Sequence, residues 1–259
     1  MNYPDDFINK IICGDCLEVM PFIPDKSIDM ILCDLPYGTT ACKWDIIIPF
    51  ELLWKEYKRI IKDNRAIVLT ASQPFTSMLV MSNLEWFKYE WIWEKAVGSN
   101  FATLKYQPMK EHENILVFSK GKHSYYPIKQ QRKGSGAERM NYGHNGSKTG
   151  ETSGNQDFKG WEVGKYDKNL RYPSSVQYFN NREKDRGQHP TQKPVALFEY
   201  LIKTYTNEGD LVLDNCAGSG TTGVACKNLG RDFILIEKIK KYVDIARKRV
   251  NATPEPLFV

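Results

Sequence analysis

Short apolar runs alternate with amphipathic stretches along most of this 259-residue chain. Apolar runs of strand length are present at residues 28–33, 66–70, 89–93, 115–118, 211–213 and 233–236. Apolar residues recur with helical spacing at residues 50–61, 75–84, 195–206, 221–229 and 240–250. Because the two kinds of segment alternate, the pattern predicts an α/β domain with a mainly parallel sheet.

Residues 121–186 break this rhythm. Glycine, asparagine, serine and lysine are frequent there, aromatic residues are scattered, and neither period is sustained. A stretch of this length without periodicity is typical of a binding loop or of a segment that becomes ordered when it meets a partner. We therefore predict a loop-rich insertion at 121–186, between the two halves of one catalytic domain at residues 1–120 and 187–259.

The positive charge of the chain is concentrated in this insertion. The formal net charge is +5, and residues 121–186 contain 13 Lys and Arg against 7 Asp and Glu, so the rest of the chain is close to neutral. A local basic excess is typical of a surface that meets a polyanion such as nucleic acid, although basic loops also serve solubility.

Composition and cysteine usage narrow the class of protein further. With 41% hydrophobic residues the chain can bury a sizeable core. No apolar run approaches the roughly 18 residues of a membrane span, and residues 1–10 lack an apolar signal core, so we expect a cytoplasmic protein.

The six cysteines lie mostly on or beside apolar runs, which favours free thiols. Cys13 and Cys16 have metal-pair spacing but no second pair, and we expect no metal.

A glycine-rich turn follows the strand predicted at 211–213. Gly218, Gly220 and Gly223 satisfy the pattern G-x-G-x-x-G, and Glu237 ends the next predicted strand. The glycines permit a tight turn and a close approach of ligand to backbone, and such a carboxylate can bind a ribose diol. NAD and S-adenosylmethionine (AdoMet) both fit this pattern. Few residues follow Glu237, so earlier strands have to complete the sheet, which favours a circularly permuted nucleotide-binding fold.

The tetrapeptide Asp34-Leu35-Pro36-Tyr37 follows the strand predicted at 28–33 and should therefore lie at the same carboxyl edge of the sheet. The exocyclic amine of adenine or cytosine is a poor nucleophile, because its lone pair is delocalised into the ring. An Asp34 oxygen and the Leu35 carbonyl can accept hydrogen bonds from its two N–H groups, and Tyr37 can stack on an extracted base. Taken alone, the tetrapeptide is equally compatible with an ordinary turn.

The order of these motifs resembles the β class of amino DNA methyltransferases, in which the acceptor motif precedes the target-recognition region and the AdoMet motifs. The segments that carry the resemblance are Gly14 with Asp15, residues 34–37, 112–118 (HENILVF), 189–194 (HPTQKP) and 214–222 (DNCAGSGTT), and Glu237. The resemblance implies a circularly permuted Rossmann-like class I methyltransferase fold, with a central, mostly parallel, seven-stranded sheet and helices on both faces. It also implies AdoMet as the cofactor and double-stranded DNA as the substrate.

The family's motifs imply roles for individual residues. Asp34, Leu35, Pro36 and Tyr37 would be catalytic. Asp15 and Cys16 would lie near the adenine of AdoMet, Glu237 would bind its ribose, and Lys193 would lie near its methionine carboxylate. The remaining cofactor-binding residues would be Asp34, Thr191, Gln192, Asp214, Cys216, Ala217, Gly218, Ser219, Gly220, Thr221 and Thr222. The basic candidates for DNA contact in the insertion are Lys129, Arg132, Lys133, Arg139 and Lys148.

Three questions of function follow from the resemblance. Asp at position 34, rather than Ser, favours methylation of adenine N6 by direct in-line displacement with base flipping, with cytosine N4 as the alternative. RNA or protein amide acceptors, and a catalytically silent AdoMet- and DNA-binding protein, are further alternatives.

The chain departs from the family's motifs at two positions. Leu35 and Asn215 replace prolines that are usual in the family, which removes rigidity but no required group. Dimerisation is common in the family, so a homodimer is one expected assembly.

Overall fold

The computed structural model describes residues 1–40, 42, 44–132, 169–182 and 191–254. The chain divides into two units, one made of Met1–Tyr126 with Ser175–Val259 and the other of Pro127–Ser174. The first unit contains the large sheet and every described helix. In the described part of the chain, no helix has the length and apolar character needed to cross a membrane.

Eight strands form the sheet of the first unit, in the spatial order β1-β10-β9-β2-β3-β5-β4-β8. All neighbouring pairs are parallel except the two that involve β5, which runs antiparallel to both β3 and β4. The strands are β1 (Lys10–Cys13), β2 (Ile28–Asp34), β3 (Ile61–Ala71), β4 (Phe87–Ser99), β5 (Lys110–Phe118), β8 (Val176–Phe179), β9 (Leu211–Asp214) and β10 (Asp232–Glu237).

Helices pack on both faces of this sheet. They are α1 (Cys16–Val19), α2 (Phe50–Ile60), α3 (Phe75–Ser82), α4 (Val195–Tyr205), α5 (Thr221–Asn228) and α6 (Lys240–Ala252), with 3₁₀ turns at Met20–Phe22 and Phe101–Thr103. Successive residues of the buried strand β2 point to opposite layers, as the two-residue period of a strand requires. Ile31 packs in the layer that contains Leu53 and Tyr57 of α2, and Leu32 packs in the layer that contains Leu201 of α4.

The predicted fold class is confirmed, and all strands and helices predicted from periodicity are present in the structure. The predicted number of seven strands is wrong, because the described sheet has eight. The eighth strand, β8, lies inside the segment 121–186 that was predicted to be a loop-rich insertion. Its four residues pair with β4, where Ile92 lies opposite Val176, and a strand so short carries no recognisable period of its own.

The second unit is described only near its two ends. There, β6 (Gln130–Gln131) and β7 (Leu170–Arg171) form a two-stranded antiparallel sheet. The Lys129 ammonium lies 5.9 Å from the ring centroid of Tyr172, and Arg132 Nε donates to the Leu170 carbonyl at 3.1 Å. Of the predicted DNA-contact candidates, Lys129 and Arg132 therefore flank this small sheet, whereas Lys133, Arg139 and Lys148 lie outside the described residues.

Candidate active site

A cavity of about 740 Å³ opens at the carboxyl edge of the parallel strands. Acidic residues end three adjacent strands at this edge, namely Glu237 on β10, Asp214 on β9 and Asp34 on β2. All three line the cavity. The carboxyl edge of an open α/β sheet is where such folds bind ligands, because the loops that leave the strands are free to shape a site there.

Most of the sequence-predicted site residues meet in this one cavity. Those that line it are Asp15, Cys16, Asp34, Leu35, Pro36, Tyr37, Thr191, Gln192, Lys193, Asp214, Cys216, Ala217, Gly218, Ser219, Thr221 and Glu237. Gly220 and Thr222, which were predicted to bind the cofactor, are not part of the lining. Gly220 packs against Ala246, and the Thr222 hydroxyl donates to Asp214.

The glycine turn is fixed by close packing against α6. Gly218 and Gly220 have positive φ angles of 51° and 80°, a conformation that glycine adopts without strain. A Cβ on Gly220 would lie 2.8 Å from the Cβ of Ala246 in α6, so the two backbones approach as closely as a glycine permits. The buried Arg249 donates to the Ser219 carbonyl at 2.8 Å and to the Ser219 hydroxyl at 3.0 Å. The turn is therefore held in one conformation by α6.

Asp214 is a buried carboxyl group that braces this turn. Its Oδ1 accepts a hydrogen bond from the Cys216 amide at 3.0 Å, and its Oδ2 accepts one from the Thr222 hydroxyl. Burial raises the pKa of Asp214 to about 7, although both hydrogen bonds act to lower it. Asp214 therefore titrates near neutral pH.

Glu237 presents its carboxylate to the cavity from the end of β10. Its Oε2 accepts from the Gly218 amide at 2.9 Å and its Oε1 accepts from the Ile239 amide at 2.7 Å. Burial raises the pKa of Glu237 above its usual value, while the backbone hydrogen bonds oppose this shift. A carboxylate has about four lone-pair positions, so Glu237 retains acceptor capacity for two hydroxyl groups.

The wall next to Glu237 is formed by the start of α1. Asp15 caps this helix by accepting from the Leu17 amide at 2.9 Å, and its other oxygen pairs with the Lys238 ammonium at 2.8 Å. The hydrogen bond from Lys238 holds the pKa of Asp15 below its usual value. Cys216 packs against the cluster that contains Cys16, and the interaction of the two side chains lowers the pKa of Cys16.

Asp34 is the centre of the acceptor part of the cavity. Its Oδ1 accepts from the Tyr37 hydroxyl at 2.8 Å and also from the Thr70 hydroxyl, and its Oδ2 pairs with the Lys193 ammonium at 2.7 Å. The Tyr37 ring stacks on Phe75, with the ring centroids 5.1 Å apart. Burial, with the Asp34 charge, raises the pKa of Tyr37 well above its usual value, so its hydroxyl stays protonated and donates.

Lys193 is buried between two carboxylates. Besides its contact with Asp34, its ammonium lies 3.4 Å from Glu113 Oε2, and Glu113 Oε1 pairs with Lys95 Nζ at 3.1 Å. Burial acts to lower the pKa of Lys193, but the charges of Asp34 and Glu113 outweigh it, and the net shift is upward. Burial acts to raise the pKa of Glu113, but the two lysines outweigh it, and the net shift is downward. The four groups form an alternating row of charges.

The expected position of Lys193 near the methionine carboxylate of AdoMet stays a prediction, and within the protein its ammonium pairs with Asp34 and Glu113. Sequence reasoning also assigned no role to Thr70, Glu113 or Lys95. Glu113 stands inside the quoted segment 112–118, and Thr70 lies near the carboxyl end of β3, beside Asp34 in the ladder. The position of Thr70 on the same edge of the sheet was the available signal for it.

The loop that follows Tyr37 is shaped by one carboxylate. Asp45 accepts hydrogen bonds from the backbone amides of Gly38, Thr39 and Thr40, at 2.9, 2.9 and 2.7 Å. Burial acts to raise the pKa of Asp45, but the Thr40 side chain and these backbone amides outweigh it, and the net shift is downward. Asp45 and the neighbouring Ile46 line the cavity, so this loop forms part of the wall around the acceptor residues.

The permuted order of the strands, the single antiparallel strand and the ligand cavity at the carboxyl edge define a class I methyltransferase fold. The model of the family described as "DNA methylase" (N6_N4_Mtase) matches residues 28–248. The chain therefore belongs to the N6/N4 family of DNA methyltransferases.

Individual relatives agree with this assignment. The type II methyltransferase M.HinfI of Haemophilus influenzae is 30% identical over 279 residues, which cover 95% of this chain and 69% of the relative. M.HpaI of Haemophilus parainfluenzae is 29% identical, over 94% of this chain and 74% of the relative. The crystal structure of the M1.HpyAVI-SAM complex is 25% identical with a TM-score of 0.65, and covers 93% of this chain and 98% of that one. SAM is AdoMet, and AdoMet is the cofactor of this protein, as predicted.

Proposed function

We propose that this protein methylates the N6 amine of adenine at a specific site in double-stranded DNA, with the target base flipped into the cavity. The observation that carries the proposal is the position of Asp34. Its carboxylate lines the cavity beside Leu35, Pro36 and Tyr37, at the same carboxyl edge as the glycine turn and Glu237. A methyl donor held by the turn and an amine held by Asp34 would share one cavity.

Asp34 and Leu35 would act by positioning the target amine. An amine whose two N–H groups donate to an Asp34 oxygen and to the Leu35 carbonyl can pyramidalise, which exposes its lone pair. Bound AdoMet supplies an electrophilic methyl group on a sulfonium. In the transfer, the N–C bond would form as the S–C bond breaks, S-adenosylhomocysteine would leave, and the nitrogen would release one proton to solvent. Asp34 stabilises the positive charge that develops on the nitrogen, and holding both partners in line lowers the barrier further.

The lining of the cavity fits AdoMet. Glu237 is fixed by two backbone amides and has lone pairs left for a ribose diol, which supports the role that the resemblance implies for it. Asp15 and Cys16 line the adjacent wall, where we place the adenine. The methionine part would lie along the glycine turn, on the side towards Asp34.

Adenine is preferred over cytosine because position 34 is Asp rather than Ser. Cytosine N4 is the alternative, because its exocyclic amine presents the same two N–H groups to the same acceptors. The curated relatives are named type II methyltransferases, and we propose a role in a restriction-modification system for this chain as well. The basic segment 121–186 would supply the DNA contacts, including those from Lys129 and Arg132.

The test is incubation of the purified protein with isotope-labelled AdoMet and unmethylated DNA, followed by digestion to nucleosides and mass spectrometry. The expected product is N6-methyladenine. N4-methylcytosine would retain the mechanism and overturn the choice of base. AdoMet binding with no transfer to DNA would overturn the proposal in favour of an RNA or protein acceptor, or of a silent DNA-binding protein. Sequencing of the modified DNA identifies the recognition site needed for the experiments below.

A further inference from the structure

The acceptor oxygens of Asp34 are already engaged by protein donors. Oδ1 accepts from the Tyr37 and Thr70 hydroxyls, and Oδ2 is paired with the Lys193 ammonium at 2.7 Å. In the proposed reaction, however, a base amine has to donate to this carboxylate. A charged donor at 2.7 Å holds its acceptor strongly, so Lys193 competes directly with the incoming amine.

The second carboxylate beside Lys193 has acceptor capacity in reserve. Glu113 Oε2 is buried and has no hydrogen-bond partner among the described residues. It lies 3.4 Å from Lys193 Nζ, and a movement of roughly 0.6 Å would bring the pair to the roughly 2.8 Å of a charge-assisted hydrogen bond. Glu113 Oε1 is meanwhile anchored by Lys95 at 3.1 Å, so Glu113 need not move to receive the ammonium.

We propose that Glu113 is a positioning residue that receives the Lys193 ammonium when the target amine takes its place on Asp34 Oδ2. This inference rests on the proposed function, since it concerns entry of the base amine into the same site. Lys193 then has two resting positions, one on Asp34 in the absence of the base and one on Glu113 in its presence.

The exchange keeps the buried Lys193 ammonium paired with a carboxylate. Lys193 and Lys95 are both buried, and removing the only partner of a buried charge is strongly unfavourable. With Glu113 present, Lys193 leaves Asp34 for another carboxylate, while Asp34 keeps its two hydroxyl donors and gains the amine. Without the Glu113 charge, the amine would have to displace Lys193 from its sole anionic partner. Glu113 therefore lowers the free energy needed to admit the base.

The first experiment compares Glu113→Gln with the wild-type enzyme, on a duplex that carries the recognition site. The substitution preserves shape but removes the charge, so kcat/KM for DNA should fall by roughly tenfold to a hundredfold, the range of a hydrogen bond to a charged group. AdoMet affinity, measured by calorimetry, should stay within about twofold, because the row of charges lies on the acceptor side. Glu111→Gln on the same strand is the matched control, since Glu111 is exposed and should have no such effect.

The second experiment separates this role from a merely structural one. Base extrusion is followed by the fluorescence of 2-aminopurine placed beside the target adenine, which keeps its N6 amine, with a non-reactive AdoMet analogue bound. Extrusion should be weakened in Glu113→Gln and restored in the double variant Glu113→Gln with Lys193→Met, because the competing ammonium is then gone. A purely structural Glu113 would make the double variant worse than the single one.

The outcomes distinguish the inference from the function on which it rests. A wild-type enzyme that transfers no methyl group to DNA would overturn the proposed function before any variant is compared. A wild-type enzyme that methylates DNA, with Glu113→Gln unchanged in kcat/KM and in base extrusion, would overturn the role of Glu113 alone. Failure of Lys193→Met to restore extrusion in the double variant would also overturn it.

Discussion

On the cofactor side of the cavity, formed by residues 214–239, Asp214 and Glu237 are held mainly by backbone amides and a hydroxyl. On the acceptor side, formed by Asp34 with its partners, the carboxylate is held by two hydroxyls and a lysine ammonium. Backbone donors are fixed by the fold, whereas a lysine side chain can change partner. The cofactor side is thus built to stay in place, and the acceptor side is built to exchange a partner.

The largest effect should follow from removing the acceptor itself. We expect Asp34→Ala to lower the methylation rate by at least roughly a hundredfold to a thousandfold, the scale of losing one group that stabilises transition-state charge. AdoMet affinity should change little, because Asp214, Glu237 and the glycine turn are untouched. Single-turnover kinetics and calorimetry measure the two effects separately. Loss of AdoMet binding together with the rate would show that Asp34 is a structural part of both sides.

Because the glycine turn of the cofactor side packs closely against α6, we expect Gly220→Ala to destabilise the protein. The new Cβ would lie 2.8 Å from Ala246 Cβ and 3.1 Å from Ala246 Cα, at a φ angle of 80°. We expect a loss of about 2–5 kcal/mol in the free energy of unfolding, because overpacking of about 1–3 kcal/mol adds to backbone strain of about 1–2 kcal/mol, and AdoMet binding should weaken. Urea denaturation and calorimetry measure these quantities.

Gly209→Ala is the matched control for this variant. Gly209 has a similar φ angle of 77°, but nothing lies within 4 Å of an added Cβ. Its substitution should lower the free energy of unfolding only through backbone strain, by about 1–2 kcal/mol, and should leave AdoMet binding unchanged. Equal losses in the two variants would contradict the close packing of the turn against α6.

On the cofactor side, the buried Asp214 should also make the stability of the protein depend on pH. Burial raises the pKa of Asp214 to about 7 in the folded protein, against about 3.9 when unfolded. The folded state therefore binds this proton more tightly, and the contribution of Asp214 to stability is present at acidic pH and is lost as pH rises towards 7. The stability of the wild type relative to Asp214→Asn should fall by on the order of 1 kcal/mol per pH unit between pH 5 and 7.

The control for the pH effect is Asp15→Asn. The hydrogen bond from Lys238 lowers the pKa of Asp15, so the contribution of that group is lost only at more acidic pH. The difference in the free energy of unfolding between Asp15→Asn and the wild type should therefore be constant between pH 5 and 8. Denaturant titrations at several pH values measure both differences, and a constant difference for Asp214→Asn would mean that Asp214 is already ionised throughout this range.

The fold was largely predictable because its elements are marked by local periodicity. Strand β2 is an apolar run, and α2 places Leu53, Tyr57 and Ile60 on one buried face. The edge strand β8 was not predictable, because its partner β4 lies some 80 residues earlier and four residues set no period. The location of the site could be predicted, since parallel strands place their carboxyl ends together. Residues that follow different strands therefore lie at one edge of the sheet.

The contacts within the acceptor side were harder to predict than its location. Lys193 pairs with Asp34 across 159 positions of sequence, and which carboxylate a buried lysine selects depends on side-chain geometry. Glu113 enters the site because the antiparallel β5 lies between β3 and β4, where Glu113 is opposite Trp93 and its carboxylate reaches Lys95 at 3.1 Å. A sequence motif can include such a residue, but it does not indicate which residue it contacts in the fold. The roles of the individual site residues remain predictions that the variants test.

The smallest expected effect concerns the hydrogen bond from the Thr70 hydroxyl to the Asp34 carboxylate. Thr70→Val removes one hydroxyl donor from Oδ1, but Tyr37 and Lys193 still hold the carboxylate. A hydrogen bond to a charged acceptor contributes about 1.5–3 kcal/mol, but the two remaining donors compensate for part of this loss, so kcat should fall by only about threefold to tenfold. The control is Thr76→Val, which removes a buried hydroxyl bonded to Asn114 Oδ1 at 3.1 Å and should affect stability but not kcat. If Thr70→Val reduced kcat as much as Asp34→Ala, then hydroxyls rather than the exchangeable lysine would position the carboxylate, and the contrast between the two sides would not hold.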